Sequence, residues 1–344
     1  MRRVIPFILL LVFPASAPAE PVVINAVGDI MLAGSGTALF KRTGYDYPFL
    51  ATTSLLRRGD ITIGNLESPL TNSGEEFTGK KFRFKSAPAS AAALQRAGFT
   101  HLSLANNHIL DFGAKGLRET IATLDGAGIS HAGAGTDLGN ARQASIVTVR
   151  GKRIALLAYS LTYPAEFYAG TDRAGTAPGY EAYYRTDIAR ARQSADYVVV
   201  SFHWGTECDD FPRGYQKNTA HRAIDAGADV VLGHHPHVLQ GIEYYKHGVV
   251  FYSLGNFAFA SRSRKADRSM IARITLDNGI SAVEVIPLNV LYSDVRYQPR
   301  PLDGAGGEDV ARHLARLSAD MGTSFSQGTA SYLVERRKQE IALQ

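Results

Sequence analysis

The segment DVVLGHHPH, residues 229–237, places three histidines within four positions directly behind a short apolar run. The run is rich in β-branched residues and predicts a strand. Histidine is the commonest metal ligand, and α/β proteins keep their sites beyond the carboxyl ends of strands. Pro236 biases His235 toward an extended backbone, so we expect His235 and His237 to project in fixed directions. A tight turn of hydrogen-bonded polar residues is the alternative.

Short apolar strands alternate with helical patterns along most of the chain, which predicts a layered α/β fold. The predicted strands span residues 22–27, 60–63, 101–104, 145–149, 154–159, 197–202, 230–232 and 249–252. The predicted helices span residues 48–58, 87–97, 116–126, 184–194 and 219–226. Several of these helices stop at Ala-Gly, the expected left-handed ending.

The pattern changes after Gly248. Antiparallel strands are predicted at 249–252, 270–276 and 281–288, with a hairpin turn at 277–279. A glycine-rich break at 303–307 precedes two predicted helices, 308–320 and 331–343. The economical division is one domain over residues 20–300 and a C-terminal helical extension over residues 301–344.

The N-terminal segment 1–19 is typical of a cleavable signal peptide. Two arginines precede the apolar stretch 4–13, which is too short to span a bilayer comfortably, and residues 17–19 offer small side chains for cleavage. We therefore expect a mature chain that begins near Glu20 and is exported to the periplasm or the cell exterior.

The charge balance is mildly basic, with a net charge of +5 over 344 residues. This suits an anionic ligand such as a phosphate or a polyacid, although a merely soluble basic protein fits equally well. The sequence lacks the stripe of lysine or arginine residues that would indicate binding to nucleic acid. The lone Cys208 excludes an internal disulfide, so stability must come from packing or bound metal.

Six polar motifs follow predicted strands, and in an α/β fold such strand ends converge. The resulting set of carboxylates, imidazoles and a carboxamide suits one or two divalent ions such as Mn²⁺, Fe²⁺, Zn²⁺ or Co²⁺. Two ions roughly 3.5–4 Å apart lower the pKa of a bridging water and hold an oxyanion. The motifs are Gly28-Asp29, Gly64-Asn65-Leu66-Glu67, Asn106-Asn107-His108, His203-Trp204-Gly205, Gly233 to His237, and Ser253-Leu254-Gly255-Asn256-Phe257.

In their order along residues 23–287, these motifs resemble the CapA family of poly-γ-glutamate capsule biosynthesis proteins. The matching elements are Gly-Asp, Gly-Asn-Leu-Glu, Asn-Asn-His…Asp-x-Gly, His-Trp-Gly-x-Glu, Gly-x-His-Pro-His-Val and Ser-Leu-Gly-Asn-Phe. The family's fold is similar to that of calcineurin-like metallophosphoesterases. The resemblance thus implies a four-layer metallophosphatase-like sandwich, in which two facing mixed sheets are flanked by helices.

The resemblance also implies roles for individual residues. Asp29 becomes the ligand of the first strand and Glu67 the bridging carboxylate. His108 takes the position of a general acid, oriented by Asp111. The remaining implied metal ligands are Asn107, His203, His235 and His237, and the implied metals are Mn, Fe or Zn, one or two ions.

Two positions depart from the phosphoesterase pattern. Met31 stands where those enzymes usually carry a histidine ligand, and the second motif ends in Glu67 rather than in Gly-Asp. These differences leave the predicted fold unchanged, but the phosphoesterase reaction does not follow from the fold. Hydrolysis of a phosphoester or amide bond, with His108 protonating the leaving group, and non-catalytic binding of polymer in a degenerate cleft both remain open.

The implied function is synthesis, export or processing of an anionic cell-surface polymer. The ligand is then a polymer such as poly-γ-glutamate, or a small phosphorylated or peptidic substrate, and membrane-bound polymer synthase subunits are candidate partners. The residues predicted to contact substrate are Asn65, Trp204, Glu207, Asn256, Lys81 and Arg83.

Several of these assignments have alternatives. The run 80–85 alternates basic and aromatic residues and is either a cationic wall or an exposed edge strand protected by charge. Trp204 shields the pocket rather than stacking on substrate in the simpler interpretation. Asn256 either bonds a metal ligand or closes a turn, and His234 is expected not to be a ligand.

Overall fold

The computed structural model describes residues 20–337, where strands and helices alternate as the sequence predicts. The strands are β1 (Val22–Ile30), β2 (Ile61–Leu66), β3 (His101–Ser103), β4 (Ser130–Ala132), β5 (Ala134–Gly135), β6 (Ser145–Val149), β7 (Lys152–Ser160), β8 (Gly175–Thr176), β9 (Tyr197–His203), β10 (Val230–His234), β11 (Ile242–Tyr245), β12 (Gly248–Phe251), β13 (Arg268–Leu276), β14 (Ile280–Asn289), β15 (Arg300–Pro301), β16 (Thr323–Gln327) and β17 (Tyr332–Arg336). The helices are α1 (Gly36–Thr43), α2 (Thr53–Leu56), α3 (Ser90–Ala97), α4 (Gly113–Gly126), α5 (Leu138–Ala141), α6 (Glu181–Ser194), α7 (Gly214–Asp225), α8 (Tyr292–Val295) and α9 (Gly304–Leu317).

Two mixed sheets contain most of the strands. The first has the order β16-β17-β14-β13-β1-β2-β3-β4, with β15 paired to β14, and β1 to β4 run parallel. The second has the order β11-β12-β10-β9-β7-β6, and β7, β9, β10 and β12 run parallel. Because parallel strands end at the same edge, each sheet collects its strand-end residues on one side.

The period-two alternation of the strands builds the layers. In β9, Val199 joins an apolar cluster shared by both sheets, whereas Val198 and Val200 pack with Ile188 of α6 and Ile224 of α7. On the other sheet, α3 and α4 cover the outer face. The result is helix, sheet, sheet, helix, so the predicted four-layer sandwich of two facing mixed sheets flanked by helices is confirmed.

The C-terminal segment differs from the predicted helical extension. Residues 332–336 form strand β17, which pairs with β16 and with β14, so the helix predicted at 331–343 is wrong where the structure describes it. The glycine-rich break at 303–307 instead opens α9, whose Val310 and Leu314 pack in the cluster between the sheets. Burial of these apolar side chains overrides the weak helix propensity of glycine.

Three smaller expectations are also corrected. The predicted helix 48–58 is a 3₁₀ turn, Tyr47–Phe49, followed by the short α2. β12 is antiparallel to β11 but parallel to β10, and residues 80–85 form no strand. The predicted signal peptide lies outside the described residues. Among residues 20–337, no helix combines the length and apolarity needed to cross a membrane.

Candidate metal centre

The strand ends of both sheets meet at one polar centre. Asp29 lies near the end of β1, Glu67 directly follows β2, and His203 ends β9. His235 and His237 follow β10, which is hydrogen-bonded to β9 in parallel register. The convergence predicted from the sequence therefore exists, and it joins residues more than 200 positions apart.

Asp29 is held by three groups. One carboxylate oxygen accepts a hydrogen bond from Asn65 Nδ2 at 2.8 Å. The other accepts from the backbone N–H of His235 at 3.2 Å and lies 3.1 Å from His237 Nδ1. Burial opposes ionisation of Asp29, but the hydrogen bond and charge of His237 hold its pKa well below the usual range. Asp29 is therefore a carboxylate in a fixed orientation.

Glu67 has no such partners. It is fully buried, and neither carboxyl oxygen makes a hydrogen bond. Oε1 lies 3.5 Å from His203 Nε2 and 3.9 Å from His237 Nε2. Burial and the negative charge of Asp29 raise the pKa of Glu67 to about 8. A buried carboxyl without a partner is costly, which marks a position built for a cation.

The histidines are suited to be ligands. Burial lowers the pKa of His203 to about 3 and that of His235 well below its usual value, so both rings are neutral. Burial opposes the charge of His237, yet Glu67 and Asp29 raise its pKa to about 10. Nδ1 of His235 is buried without a hydrogen-bond partner, and the rings of His203 and His235 lie 4.8 Å apart. A neutral imidazole offers the lone pair that a metal requires, so His203 and His235 are ready to bind one. His237 is protonated beside Asp29 and Glu67 and must release its proton to act as a ligand.

The donor atoms fall into three overlapping groups, each with its atoms within 4.8 Å of one another. Glu67 belongs to two of these groups, which is the position expected of a bridging carboxylate. The mixed oxygen and nitrogen donors, together with the unpartnered atoms of Glu67 and His235, fit a divalent transition metal. The groups are Glu67 with His203 and His235, Asp29 with Glu67 and His237, and Glu207 with His235 and His237.

The backbone at the histidine cluster is strained. His235 has φ of 94° and His237 has φ of 59°, so the extended geometry expected for His235 is wrong. The backbone N–H of Cys208 donates to Pro236 O at 2.8 Å, which ties the loop carrying Glu207 to this turn. Non-glycine residues in the left-handed region concentrate at functional sites, where the surrounding structure must hold them.

His108 and Asp111 form a second unit beside the cluster. His108 Nδ1 lies 2.6 Å from Asp111 Oδ2, and Asp111 is fully buried. Asn106 shapes this turn, because its Oδ1 accepts from the backbone N–H groups of His108 and Ile109. Asn107 reaches the candidate ligands, with Oδ1 2.9 Å from His203 Nε2. The geometry thus orients the His108 ring through Nδ1.

The structure separates the residues predicted to contact substrate. Asn65 is buried and bonds Asp29, and Asn256 Oδ1 lies 2.9 Å from His237 Nδ1, so both orient ligands rather than face the cleft opening. Glu207 is exposed beside His235 and His237.

The placement of Trp204 at the cleft is wrong. Its ring is fully buried, stacks on Phe202 at 4.9 Å and donates from Nε1 to Tyr252 O at 2.9 Å. His234, expected not to be a ligand, is buried with Nδ1 3.2 Å from Ser201 Oγ and Nε2 3.3 Å from Val27 O.

Lys80 is a functional candidate that the sequence reasoning missed. Within the basic run, Lys81 is exposed over the Phe82 ring and Arg83 pairs with Glu76 at 3.3 Å. Lys80 turns inward instead, with Nζ 2.7 Å from Asp111 Oδ1. Burial lowers the pKa of Lys80, although Asp111 opposes that shift. The alternation of basic residues was the available signal, but it does not show which lysine points inward.

The sequence matches a known family of bacterial proteins. Residues 23–261 match the model of the bacterial capsule synthesis protein family PGA_cap. The chain belongs to this family. It is 34% identical over 294 residues to the capsule biosynthesis protein CapA of Bacillus anthracis, covering 83% of this chain and 71% of that protein. It is also 34% identical over 267 residues to the PGA biosynthesis protein CapA of Bacillus subtilis, covering 77% and 70%.

The fold has counterparts among solved structures. The 5'-nucleotidase precursor from Thermus thermophilus matches with a TM-score of 0.50 and 14% identity, covering 88% of this PGA_cap chain. The match spans 59% of the nucleotidase, and at this identity it shows the metallophosphatase-like fold and not the activity.

Proposed function

We propose that this PGA_cap protein is exported and acts in the synthesis, export or processing of an anionic cell-surface polymer of the poly-γ-glutamate type, using a divalent metal in the cleft. The observation that carries the proposal is Glu67, a buried carboxyl with two unpartnered oxygens surrounded by imidazoles. Family membership and the names of the Bacillus relatives support the polymer.

The residues divide into holding and reacting groups. Asp29, Glu67, His203, His235 and His237 would hold Mn, Fe or Zn, one ion or two, with Asn107 and Glu207 at the edge. When bound, such an ion polarises an ester or amide oxygen and lowers the pKa of bound water.

His108 supplies the proton in hydrolysis of a phosphoester or amide bond. Its Nδ1 faces Asp111, which leaves Nε2 to donate to the departing oxygen or nitrogen. His108 directly follows Asn107, whose Oδ1 lies 2.9 Å from His203 Nε2, and this supports a proton donor beside the candidate metal ligands.

The experiment is a comparison of wild type with Glu67→Gln and His108→Ala, each purified as the chain from Glu20 onward. Bound Mn, Fe and Zn are counted by mass spectrometry, and hydrolysis is assayed on a phosphomonoester, a phosphodiester and poly-γ-glutamate. We expect Glu67→Gln to lose metal and activity, and His108→Ala to keep metal while losing at least about a hundredfold in rate. Unchanged rates in His108→Ala would contradict its role as proton donor.

The positive charge of the loop at residues 75–85 supports binding of an anionic polymer. Residues 75–85 present Lys81, Arg83 and Lys85 against two glutamates, while Lys80 turns inward to Asp111. Neutralising Lys81 and Arg83 together should weaken binding of poly-γ-glutamate and reduce its salt dependence, measured by calorimetry at low and high ionic strength. Equal affinity in both proteins at low salt would remove this surface from the proposal.

A second candidate function is polymer binding without catalysis. Met31 favours it, because a buried apolar side chain stands where phosphoesterases usually carry a histidine ligand. This alternative predicts a protein that holds metal and polymer but hydrolyses none of the three substrates. Export is tested separately, by following the chain with and without residues 1–19 in fractionated cells.

A further inference from the structure

Residues 71–86 form a loop whose two ends are tied together beside Glu67. The backbone N–H of Thr71 donates to Ser86 O at 3.0 Å, and that of Ser86 donates to Pro69 O at 2.9 Å. The hydroxyls of Ser68 and Ser86 lie 2.7 Å apart. These bonds hold the two ends of the loop together, so contacts made by its middle decide how the loop docks on the centre.

One charged side chain of this loop turns inward. The Lys80 side chain is 13% exposed, while both neighbours, Gly79 and Lys81, are exposed. Its ammonium group donates to Asp111 Oδ1 at 2.7 Å and to the backbone oxygen of Asn107. It also lies 5.2 Å from the centre of the Phe167 ring. Lys80 thus joins the loop to the turn that carries Asn107 and to the segment around Phe167.

Phe84 attaches the same loop at a second point. Its backbone N–H donates to Asp111 Oδ2 at 2.8 Å, and its ring centre lies 5.1 Å from that of His108. Asp111 therefore binds the loop through both oxygens, Lys80 on one and Phe84 on the other. The oxygen that binds Phe84 also contacts His108 Nδ1 at 2.6 Å. Lys80 Nζ also lies 3.0 Å from His108 Nδ1, so the orientation of His108 and the docking of the loop share Asp111 and Lys80.

We infer that Lys80 is a positioning residue, which docks loop 71–86 over the centre and thereby fixes Asp111 and the ring of His108. Without the ammonium group, the buried Asp111 loses the charge that compensates it, and its hold on Phe84 weakens. The consequence for catalysis rests on the proposed role of His108, whereas the docking itself does not.

Hydrogen exchange with mass spectrometry on the full chain tests the docking. The variants are Lys80→Met, which keeps the length of the side chain, Lys80→Arg, which keeps the charge, and Lys81→Met as the matched control. In Lys80→Met we expect amides 77–85 to exchange more than about tenfold faster, because a charged hydrogen bond is lost. Lys81→Met should match wild type, and Lys80→Arg should restore protection.

A second measurement follows His108 directly. In ¹⁵N-histidine-labelled protein, the Nδ1–H resonance of His108 should be protected in wild type and should exchange rapidly with water in Lys80→Met. Asp111→Asn should release the loop as Lys80→Met does, and the double variant should release it no further.

Three results would overturn the inference: wild-type exchange at 77–85 in Lys80→Met, additive effects in the double variant, or acceleration that extends equally to strand β9. The last would show general destabilisation instead of local positioning. Absence of hydrolysis in the wild-type protein would refute the proposed catalysis and leave these exchange results standing, so the two failures are distinguishable.

Discussion

Replacing Glu67 with glutamine separates the metal-binding role of this residue from its contribution to folding. The side chain is fully buried and has no hydrogen-bond partner, and burial together with Asp29 raises its pKa to about 8. In the metal-free protein at pH 7 the carboxyl is therefore mostly protonated, and glutamine closely imitates it. We expect the metal-free variant to melt within about 2 °C of wild type, as substitutions that create no cavity or unpaired charge do.

The metal-bound protein should behave differently. A ligand present at 100 times its dissociation constant stabilises the folded state by about 2.7 kcal/mol. For 344 residues, about 2.1 cal/mol/K per residue gives an unfolding entropy of roughly 0.7 kcal/mol/K, so the Tm of wild type should rise by about 4 °C. Glutamine removes the carboxylate common to two donor groups. If affinity falls a hundredfold, the remaining shift is less than about 1 °C.

The assay is differential scanning fluorimetry of chelator-treated protein, titrated with Mn²⁺, Fe²⁺, Zn²⁺ or Co²⁺. Glu75→Gln is the matched control, because Glu75 is exposed on the loop and belongs to none of the donor groups. A full metal-induced shift in Glu67→Gln would refute the placement of the ion at Glu67. The absence of a shift in wild type with all four ions would refute the metal centre itself.

Three further predictions concern stability. Burial lowers the pKa of His101 to about 4, so below pH 6.5 the unfolded chain binds a proton that the folded chain does not. The free energy of unfolding of wild type, measured with urea, should therefore fall by about 2 kcal/mol by pH 5, and that of His101→Asn should lack this loss. The same pH dependence of unfolding free energy in both proteins would contradict the prediction. Gly28→Ala places a Cβ 1.9 Å from Gly255 O and should destabilise by more than about 2 kcal/mol in thermal unfolding, while Gly126→Ala, with open space around it, should not. Trp204→Phe should lower stability by about 1–3 kcal/mol yet leave the metal-induced Tm shift unchanged, and loss of that shift would return Trp204 to the cleft.

The gathering of polar residues at the strand ends was predictable because two rules act together. Apolar runs such as 197–202 must be buried, and parallel strands present their carboxyl ends at one edge. Polar residues placed directly after those runs, as in His203 and His235, therefore lie at the same edge of their sheet. The stacking of the two sheets then brings this edge to Asp29 and Glu67. The ligand set follows from this regularity.

The alternation of side chains along a strand also explains why the placement of Trp204 at the cleft was wrong. Successive side chains of a strand face opposite sides, so Phe202 and Trp204 share the face opposite to His203. The structure stacks these two rings in the outer apolar cluster. Adjacency in sequence to a metal ligand therefore argued against a place in the cleft.

Other features depend on contacts that no local pattern encodes. Lys80 meets Asp111 across 31 positions, through a loop whose path is set by its closed base and not by periodicity. β17 was predicted as a helix because its identity depends on pairing with β14 across 47 or more positions. Tertiary context decides both cases.

The energetic costs that the fold carries converge on the candidate metal ligands. His235 and His237 adopt positive φ, at about 1–3 kcal/mol each. Glu67 is buried without a partner in the same centre. If these residues served only to pack the core, small substitutions would avoid the costs. Glycine at 235 or 237 would relieve the backbone strain, and leucine or glutamine at 67 would avoid burying an unpartnered carboxyl. A cation bound by Glu67, His235 and His237 compensates all three at once, because it pairs with the carboxyl and requires both ring orientations. This holds equally for a catalyst and for a polymer-binding protein, so the strain argues for the metal, while the choice between the two functions depends on His108 and the loop that holds it.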